Sequence, residues 1–429
     1  MQTGVILFAV TRMNRRSFLR SSAIVVGGSA TAQLMRSTSR GGERIGSPVP
    51  THPATNFAVR TSYPTIPRLG DDVFTARLER ARALMRAGGA DALIATSGST
   101  NFSYLVGSSF GRSERLIAIV VPVDGAAVLV APSFETERVR RSARIGEVRG
   151  WEEDEDPFAL VRTALGSARS ILVEPKTDYW VSARVQRSMP GARLIDGTDA
   201  FETLRVVKTP EEIVRMRHAI AITEDAIAAT FDQLRLGMRD SDVARVLAEE
   251  HAKRGIEGGG LVQFGAQSAL PHGGTTSAIL ERDTIVLIDA GGEFQGYASD
   301  ITRTRWVGDR VPAKVREIYD VVHDAQSAAM ARVKPGVPCQ EIDRAARAVI
   351  TRAGYGRYFT HRLGHGMGMD EHEPAYMVEG NTRPLEPGFV FSVEPGIYLP
   401  NEFGVRIEDD FTCTSSGGEL LSRRAPKMS

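Results

Sequence analysis

The feature of the sequence that most constrains its fold is a pair of β-rich runs in the C-terminal half. Residues 284–289 are mostly apolar and end at Asp289, and residues 301–307 follow directly after Asp300. Residues 290–296 contain three glycines and can turn the chain back on itself. The pattern predicts a hairpin that brings two carboxylates together. Such a pair either bridges a metal ion, because buried carboxylates need a counter-charge, or faces solvent at a turn and a strand edge.

The length of the chain, 429 residues, predicts two domains. Thr209-Pro210-Glu211-Glu212 is a typical helix start, with a capping threonine, a proline at the first helical position and a glutamate that closes a capping box. We therefore expect an N-terminal domain over residues 71–205 and a second domain over residues 206–429.

Residues 71–205 have the pattern of an α/β domain. An amphipathic helix begins near Asp71 and ends at Gly88-Gly89, and short apolar runs such as residues 92–95 and 170–173 follow. The sequence of this domain shows no cluster of metal-binding residue types and no nucleophile paired with a base. Its acidic run at residues 152–156 is typical of a solvated loop.

The second domain alternates helices with β-rich runs, which indicates two similar helix-plus-hairpin halves. Besides the hairpin, helices are expected up to about residue 236 and over residues 242–254, 314–333 and 338–353, and strands over residues 389–393 and 405–412.

The first residues differ in character from the rest. Arg15-Arg16 precede a mildly apolar stretch of small residues at 21–34, which resembles a twin-arginine export signal. We predict an export segment over residues 1–35 and a linker over residues 36–70. The alternative is a basic tail. The apolar stretch is shorter than the roughly 20 residues that a permanent membrane span needs.

The charge and cysteine content narrow the classes of partner. Lys and Arg total 53 against 52 for Asp and Glu, so no excess of charge favours a nucleic-acid partner, and a small substrate is expected. Cys339 and Cys413 lie far apart in sequence, without the spacing of a redox pair or a thiolate metal site, and buried free thiols are expected.

Three further segments carry residues of metal-ligand type. Residues 361–368 contain two histidines and three glycines, which favours a loop that exposes His365 to a ligand over a helical histidine pair. Glu394 follows an apolar strand at a turn, and Glu408 lies on a strand of alternating polarity. Each residue is ordinary alone. Together with the hairpin aspartates they form an oxygen-rich set with one imidazole.

Four carboxylates and one histidine suit two Mn, Co, Fe or Zn ions better than one closed structural zinc site. A pair of such ions activates water at neutral pH and polarises a carbonyl group, which is hydrolytic chemistry. No Ser-His-Asp arrangement or phosphate-binding glycine loop competes with this interpretation.

The motifs resemble those of the pita-bread metallopeptidases, in particular Xaa-Pro aminopeptidases and prolidases. This resemblance implies an α+β protein, with a creatinase-like N-terminal α/β domain followed by a pita-bread catalytic domain. The segments that carry it are Asp289-Ala290-Gly291, Asp300-Ile301-Thr302-Arg303, His361 to His365, His372-Glu373-Pro374, Glu394-Pro395-Gly396-Ile397-Tyr398, and Gly404-Val405-Arg406-Ile407-Glu408.

The resemblance also implies roles for these residues. Asp289 and Glu408 would each hold one or both metals, Asp300 and Glu394 would bridge or complete the pair, and His365 would bind one ion. Glu394 would also act as the proton shuttle of the reaction. The remaining residues would orient substrate and steady the tetrahedral intermediate (His272, His361 and His372) or position Glu408 (Arg406).

The expected cofactors are two divalent ions, manganese first, with cobalt, zinc and iron as alternatives. The implied reaction is attack of a metal-bridging hydroxide on the bond before a proline in the second position of a short peptide. A homodimer is the default expectation. The alternatives are a hydrolase or lyase of a small non-peptide metabolite and an exported binding module. Bound metal would separate the module from both enzymes, and a substrate panel would separate the enzymes.

Overall fold

A computed structural model describes residues 49–53, 58–274 and 276–428. The predicted export segment lies outside the described residues. Within them the helices are α1 Asp71–Gly88, α2 Thr100–Val106, α3 Thr136–Ser142, α4 Pro157–Leu165, α5 Tyr179–Ser188, α6 Thr198–Val206, α7 Pro210–Asp232, α8 Asp240–Lys253, α9 Ala313–Met330 and α10 Cys339–Arg352. None of these helices is both long enough and apolar enough to cross a bilayer.

The strands fall into four sheets. They are β1 Thr51–His52, β2 Ala92–Thr96, β3 Ala118–Pro122, β4 Val128–Pro132, β5 Glu147–Trp151, β6 Ser170–Val173, β7 Arg193–Asp196, β8 Glu257–Phe264, β9 Thr284–Phe294, β10 Tyr297–Val307, β11 Gly364–Gly366, β12 Glu373–Met377, β13 Val390–Val393, β14 Gly396–Leu399, β15 Phe403–Arg406, β16 Asp409–Thr414 and β17 Gly417–Leu420.

The N-terminal domain is a six-stranded mixed sheet with helices on both faces, as expected for an α/β domain. Its strand order is β5-β4-β3-β2-β6-β7, and separate hydrophobic clusters cover the two faces. Helix α1 packs Phe74, Leu78, Ala81 and Met85 inward. It ends at Gly89, whose φ of 68° is a left-handed conformation that glycine adopts without strain.

Helix α7 starts where the capping pattern predicts. The Thr209 side chain accepts a hydrogen bond from the Glu212 amide, and the Glu212 carboxylate accepts one from the Thr209 amide. The predicted linker is partly packed onto the second domain. Strand β1 pairs with the edge of β10, and Arg60 and Tyr63 bind the buried carboxylate of Asp225.

The central hairpin is longer and tighter than its sequence suggested. Residues 290–294 continue strand β9 instead of turning, and the chain reverses at Gln295-Gly296, where φ is 51° and 85°. A two-residue hairpin turn with positive φ at both positions matches the right-handed twist of the strands. Asp289 and Asp300 therefore lie inside the ladder, away from its ends.

The two halves of the second domain each pack a helix pair on an antiparallel sheet. Helices α7 and α8 cover the sheet β1-β10-β9-β8, and α9 and α10 cover the sheet β12-β11-β13-β16-β17. Strands β14 and β15 form a separate ribbon. The run at residues 405–412 was expected as one strand, but it is broken at residues 407–408, between β15 and β16.

Candidate metal centre

The hairpin places its two aspartates on the same face of the sheet. Asp300 lies opposite Gly291 in the ladder, and Asp289 lies opposite Thr302. The two aspartates are therefore diagonal neighbours, since residues two apart on a strand point to the same side. Asp300 is buried and Asp289 is partly exposed.

His365 lies beside the two aspartates, but the sequence analysis predicted its local structure wrongly. A loop with an exposed histidine was expected, but residues 364–366 form β11 and the His365 side chain is only 2% exposed. Glycines allow this packing, because a Cβ at Gly364 would lie 2.0 Å from the Ser392 carbonyl oxygen and one at Gly366 would lie 2.3 Å from that of Pro374.

The orientation of the His365 ring directs a lone pair into the carboxylate set. Its Nδ1 lies 3.1 Å from the Gly366 carbonyl oxygen and donates a hydrogen bond to it. Burial lowers the pKa of His365 to about 3, so the ring is neutral and Nε2 carries the lone pair. Nε2 lies 3.5 Å from Asp300 Oδ2 and 3.5 Å from Glu394 Oε1.

Glu408 completes the set from the break between β15 and β16. Its amide donates to the Thr302 carbonyl oxygen at 3.1 Å, and its Oε2 lies 2.7 Å from Thr302 Oγ1. The structure thus brings all five predicted ligands together. Their ligand atoms form two groups that each lie within 4.8 Å: Asp289, Asp300 and Glu408; and His365, Glu394 and Glu408. A third such group joins Asp300 and His365 to His372, which was not among the predicted ligands.

Three carboxyl groups of this set, those of Asp300, Glu394 and Glu408, disfavour their charged forms. Burial and neighbouring carboxylates raise the pKa of Asp300 and of Glu408 well above the usual range. Burial raises the pKa of Glu394 to about 8, although Arg406 opposes the shift. The site therefore holds more potential negative charge than the protein itself neutralises.

Arg406 contacts a different carboxylate from the one expected. The sequence interpretation placed it against Glu408, but its Nη2 lies 2.6 Å from Asp289 Oδ2. It reaches Glu408 through Thr302, because Arg406 Nε donates to Thr302 Oγ1 at 3.1 Å and that hydroxyl lies 2.9 Å from Asp289 Oδ1 as well as close to Glu408.

The three candidate histidines differ in their surroundings. His361 is partly buried, and burial lowers its pKa to about 4. Its Nδ1 donates to the Arg362 carbonyl oxygen at 2.7 Å, which leaves Nε2 to accept from the Tyr398 hydroxyl at 2.8 Å. His272 and His372 are exposed and line the same cleft as the carboxylates.

The segment that carries His372 is held by the end of helix α6. Arg205 binds Asp370 at 2.9 Å and also binds Glu373, and Lys208 Nζ lies 3.1 Å from Glu373 Oε2. Asp370 and Glu373 flank His372 on both sides, so the connection between the domains fixes the segment that presents this imidazole to the cleft.

Both parts of the chain match known families. Residues 214–415 match metallopeptidase family M24, and residues 77–207 match the creatinase/prolidase N-terminal domain. A Xaa-Pro dipeptidase of Lactobacillus helveticus is 37% identical over 333 residues, which are 75% of this chain and 90% of that protein.

Two solved structures also match this chain closely in fold. Dipeptidase PepE from Mycobacterium ulcerans matches with a TM-score of 0.78 and 34% identity, over 84% of this chain and 98% of that chain. Recombinant prolidase from Thermococcus sibiricus matches with a TM-score of 0.76 and 29% identity, over 83% of this chain and 98% of that one.

The chain belongs to metallopeptidase family M24. Membership confirms the predicted fold, a creatinase-like N-terminal domain followed by a pita-bread catalytic domain. It also confirms that the chain is a metallopeptidase that uses divalent metal ions.

The donor set of this M24 protein fits such ions. The neutral Nε2 of His365 faces two carboxylate oxygens at 3.5 Å. Three atoms that carry lone pairs therefore face one another, and a cation between them would remove their repulsion. Two ligands bound at about 2.1 Å to a tetrahedral ion stand about 3.4 Å apart. Imidazole and carboxylate donors are those that Mn, Co, Fe and Zn accept.

Sequence reasoning assigned no role to two polar residues of the site. Thr302 lies two residues after Asp300 on the same face of β10, so the period of a strand would have found it. Tyr398 lies in a motif that was recognised, but its link between Arg406 Nη1, at 3.0 Å, and His361 depends on contacts across the fold. No sequence pattern encodes these contacts.

Proposed function

We propose that this M24 metallopeptidase hydrolyses the bond before a proline in the second position of a short peptide. The observation that carries the proposal is the five-residue ligand set closed around His365 and Glu408, in a chain whose relatives include a Xaa-Pro dipeptidase. A tertiary amide before proline has no N–H group, so a site that attacks it must rely on carbonyl polarisation and an activated water.

We assign the ligands to two ions that share residues. Asp289 belongs to one ligand group and His365 with Glu394 to another, whereas Glu408 is common to both. Asp300 lies in the Asp289 group and also faces His365, so Asp300, like Glu408, would be within reach of both ions. When bound, the ions would activate water and polarise the scissile carbonyl group.

The protein groups of the cleft would then move protons and orient the peptide. Glu394 would take a proton from the attacking water and return it to the departing proline nitrogen, because its carboxylate lies within the ligand set. Neutral His361 would hold the wall of the cleft through Tyr398. The exposed His272 and His372 would contact the substrate.

The test uses metal-stripped protein titrated with Mn, Co, Zn and Fe(II). Matched Ala-Pro and Ala-Ala dipeptides and an Ala-Pro-Ala tripeptide would be supplied as substrates. We expect metal-dependent cleavage before proline, with manganese the most effective ion. Cleavage of the dipeptide alone would indicate a dipeptidase, and cleavage of the tripeptide an aminopeptidase. Bound metal without cleavage of any of these peptides would contradict the proposal and favour a small non-peptide substrate.

We also propose export through the paired arginines at residues 15–16, a homodimer, and a domain boundary at the connection between α6 and α7. Replacement of Arg15 and Arg16 by lysine should retain the protein in the cytoplasm, as fractionation would show, and light scattering would give its mass in solution. Retention of export in the lysine variant would contradict the first of these proposals.

A further inference from the structure

A second cavity adjoins the catalytic cleft. The cleft, of about 420 Å³, contains the ligand set, and the adjoining cavity has a volume of about 730 Å³. Asp289, His272 and Glu371 line both spaces. A peptide whose scissile bond lies among the ligands therefore has room to continue past Asp289 into the second cavity.

One wall of this cavity is an edge strand without side chains at three successive positions. Strand β8 ends the sheet β1-β10-β9-β8, and Gly258-Gly259-Gly260 line the cavity. A Cβ at Gly258 would lie 2.4 Å from the His251 ring, and one at Gly260 would lie 2.0 Å from the Asp289 carbonyl oxygen. Packing alone accounts for these two glycines.

Packing does not require a glycine at position 259. A Cβ at this position would meet nothing within 4 Å, and its φ is not in the positive range that favours glycine. A larger residue would fit the backbone and project into space. The missing side chain therefore enlarges the cavity at the point where a ligand would lie against the strand.

The two ends of the combined space differ in charge. Glu257, Glu293 and Glu371 are exposed at the second cavity, and among the described residues no lysine or arginine lines it. The part of the cleft that the second cavity does not share carries the guanidinium groups of Arg362 and Arg406. A dipeptide has an ammonium group at one end and a carboxylate at the other, so this polarity directs the amino end toward the glutamates.

We propose that the second cavity holds the residue that precedes the scissile bond and selects a long basic side chain, lysine or arginine. This inference rests on the proposed function and adds its substrate class. Gly259 supplies the width, and Glu257 and Glu293 supply the charge that ranks a basic side chain above an uncharged one of equal length.

The experiment measures kcat/KM of the metal-loaded enzyme on Arg-Pro, Lys-Pro, Met-Pro and Ala-Pro. The expected order is Arg-Pro and Lys-Pro first, then Met-Pro, then Ala-Pro, with about a tenfold span. Gly259→Leu should lower the Arg-Pro to Ala-Pro ratio by about tenfold. Gly191→Leu is the matched control, since a Cβ at Gly191 also meets nothing within 4 Å, and it should leave the ratio unchanged.

The charge is tested separately with Glu257→Gln and Glu293→Gln, which should bring Arg-Pro down toward Met-Pro. Cleavage of all four dipeptides at similar rates would overturn this inference while leaving the proposed function intact. A loss in Gly259→Leu confined to Xaa-Pro-Xaa tripeptides would place the cavity on the carboxyl side and overturn it as well. Failure to cleave any Xaa-Pro peptide would overturn both.

Discussion

Two groups of buried carboxylates in the catalytic domain differ in how their charge is balanced. In the arginine-balanced cluster, Glu224, Asp225 and Asp409 face three guanidinium groups. Arg303 lies 2.7 Å from Asp409, Arg423 lies 2.9 Å from Glu224 and 2.5 Å from Asp225, and Arg60 lies 3.1 Å from Asp225. The three named carboxylates and the three guanidinium groups are equal in number, and the cluster joins α7, β10, β16 and the C-terminal segment.

The carboxylate-rich cluster contains Asp289, Asp300, Glu394 and Glu408, and Arg406 is the guanidinium in contact with it. Four carboxylates less one guanidinium leave three negative charges, which two divalent ions would offset. The comparison shows that burial of carboxylates is not by itself evidence for a metal site. An uncompensated excess, with a neutral imidazole facing it, is the informative observation.

The largest expected effect comes from breaking the carboxylate-rich cluster. Asp300→Ala should lower kcat/KM on Ala-Pro by about 1000-fold, roughly 4 kcal/mol of transition-state stabilisation, because it removes a ligand that both ions would share. Steady-state kinetics with excess manganese would measure the loss. Activity within tenfold of the parent enzyme would show that Asp300 does not hold an essential ion.

The arginine-balanced cluster should respond in stability instead of activity. Arg423→Met leaves Glu224 and Asp225 short of a partner, and we expect a loss of about 2 kcal/mol in the free energy of unfolding. Urea unfolding of the metal-loaded protein would measure it. Metal content and kcat at a temperature where the variant is folded should match the parent, and a loss of metal would contradict the separation of the two clusters.

A pH series on metal-free protein should show the excess charge directly. A carboxyl whose pKa is raised on folding binds more protons in the folded state, so stability falls as pH rises from its unfolded value to its folded value. The pKa values of His365 and His361 are lowered on folding. These histidines therefore change the stability below pH 6.5, where the imidazole rings of the unfolded chain gain protons. Between pH 6.5 and 8 the carboxylates therefore dominate.

Glu394 alone, with a pKa of about 8, would cost about 2 kcal/mol across this interval. Thermal melts in chelator should fall in midpoint from pH 6.5 to 8, whereas melts with manganese should not. An equal fall of the melting midpoint in chelator and in manganese would show that bound metal does not offset the charge of these carboxylates.

The smallest effect concerns the hydroxyl that joins the carboxylates. Thr302→Val preserves shape but removes the group that lies between Arg406, Asp289 and Glu408. We expect manganese affinity and kcat/KM to fall by about tenfold, as is typical for groups that orient metal ligands. Thr412→Val is the control and should leave metal affinity unchanged, because Thr412 is also a buried strand threonine but its hydroxyl lies 3.4 Å from the Cys413 carbonyl oxygen.

The sequence predicted which side chains meet at the candidate site better than it predicted their setting. Asp289 and Asp300 could be paired because a hairpin follows from apolar runs around a glycine-rich segment. The position of the turn at Gln295-Gly296 was missed, because the glycines at residues 291 and 292 look like turn residues but serve close packing. His365 was placed in a loop for the same reason, since its neighbouring glycines fit a strand packed tightly against Ser392 and Pro374.

Contacts between distant segments were beyond sequence reasoning. Arg406 lies two residues before Glu408, which suggested a local contact, yet alternation along β15 and the break after it direct the guanidinium to Asp289 on another strand. The packing of β1 against β10 was hidden in a segment rich in serine, proline and arginine. In both examples the partner is chosen by tertiary packing, which local residue patterns do not record.

The most direct test of the account is to count the ions. Metal-stripped protein would be titrated with Mn²⁺ in a calorimeter, in two buffers of different ionisation enthalpy, beside Asp300→Ala. We predict two ions bound per chain, with release of protons as the carboxyl groups of raised pKa become ligands, and loss of at least one ion in the variant. Absence of specific Mn²⁺ binding to the parent protein would contradict the claim that the uncompensated cluster is a two-metal site. Two ions retained in Asp300→Ala would contradict it as well.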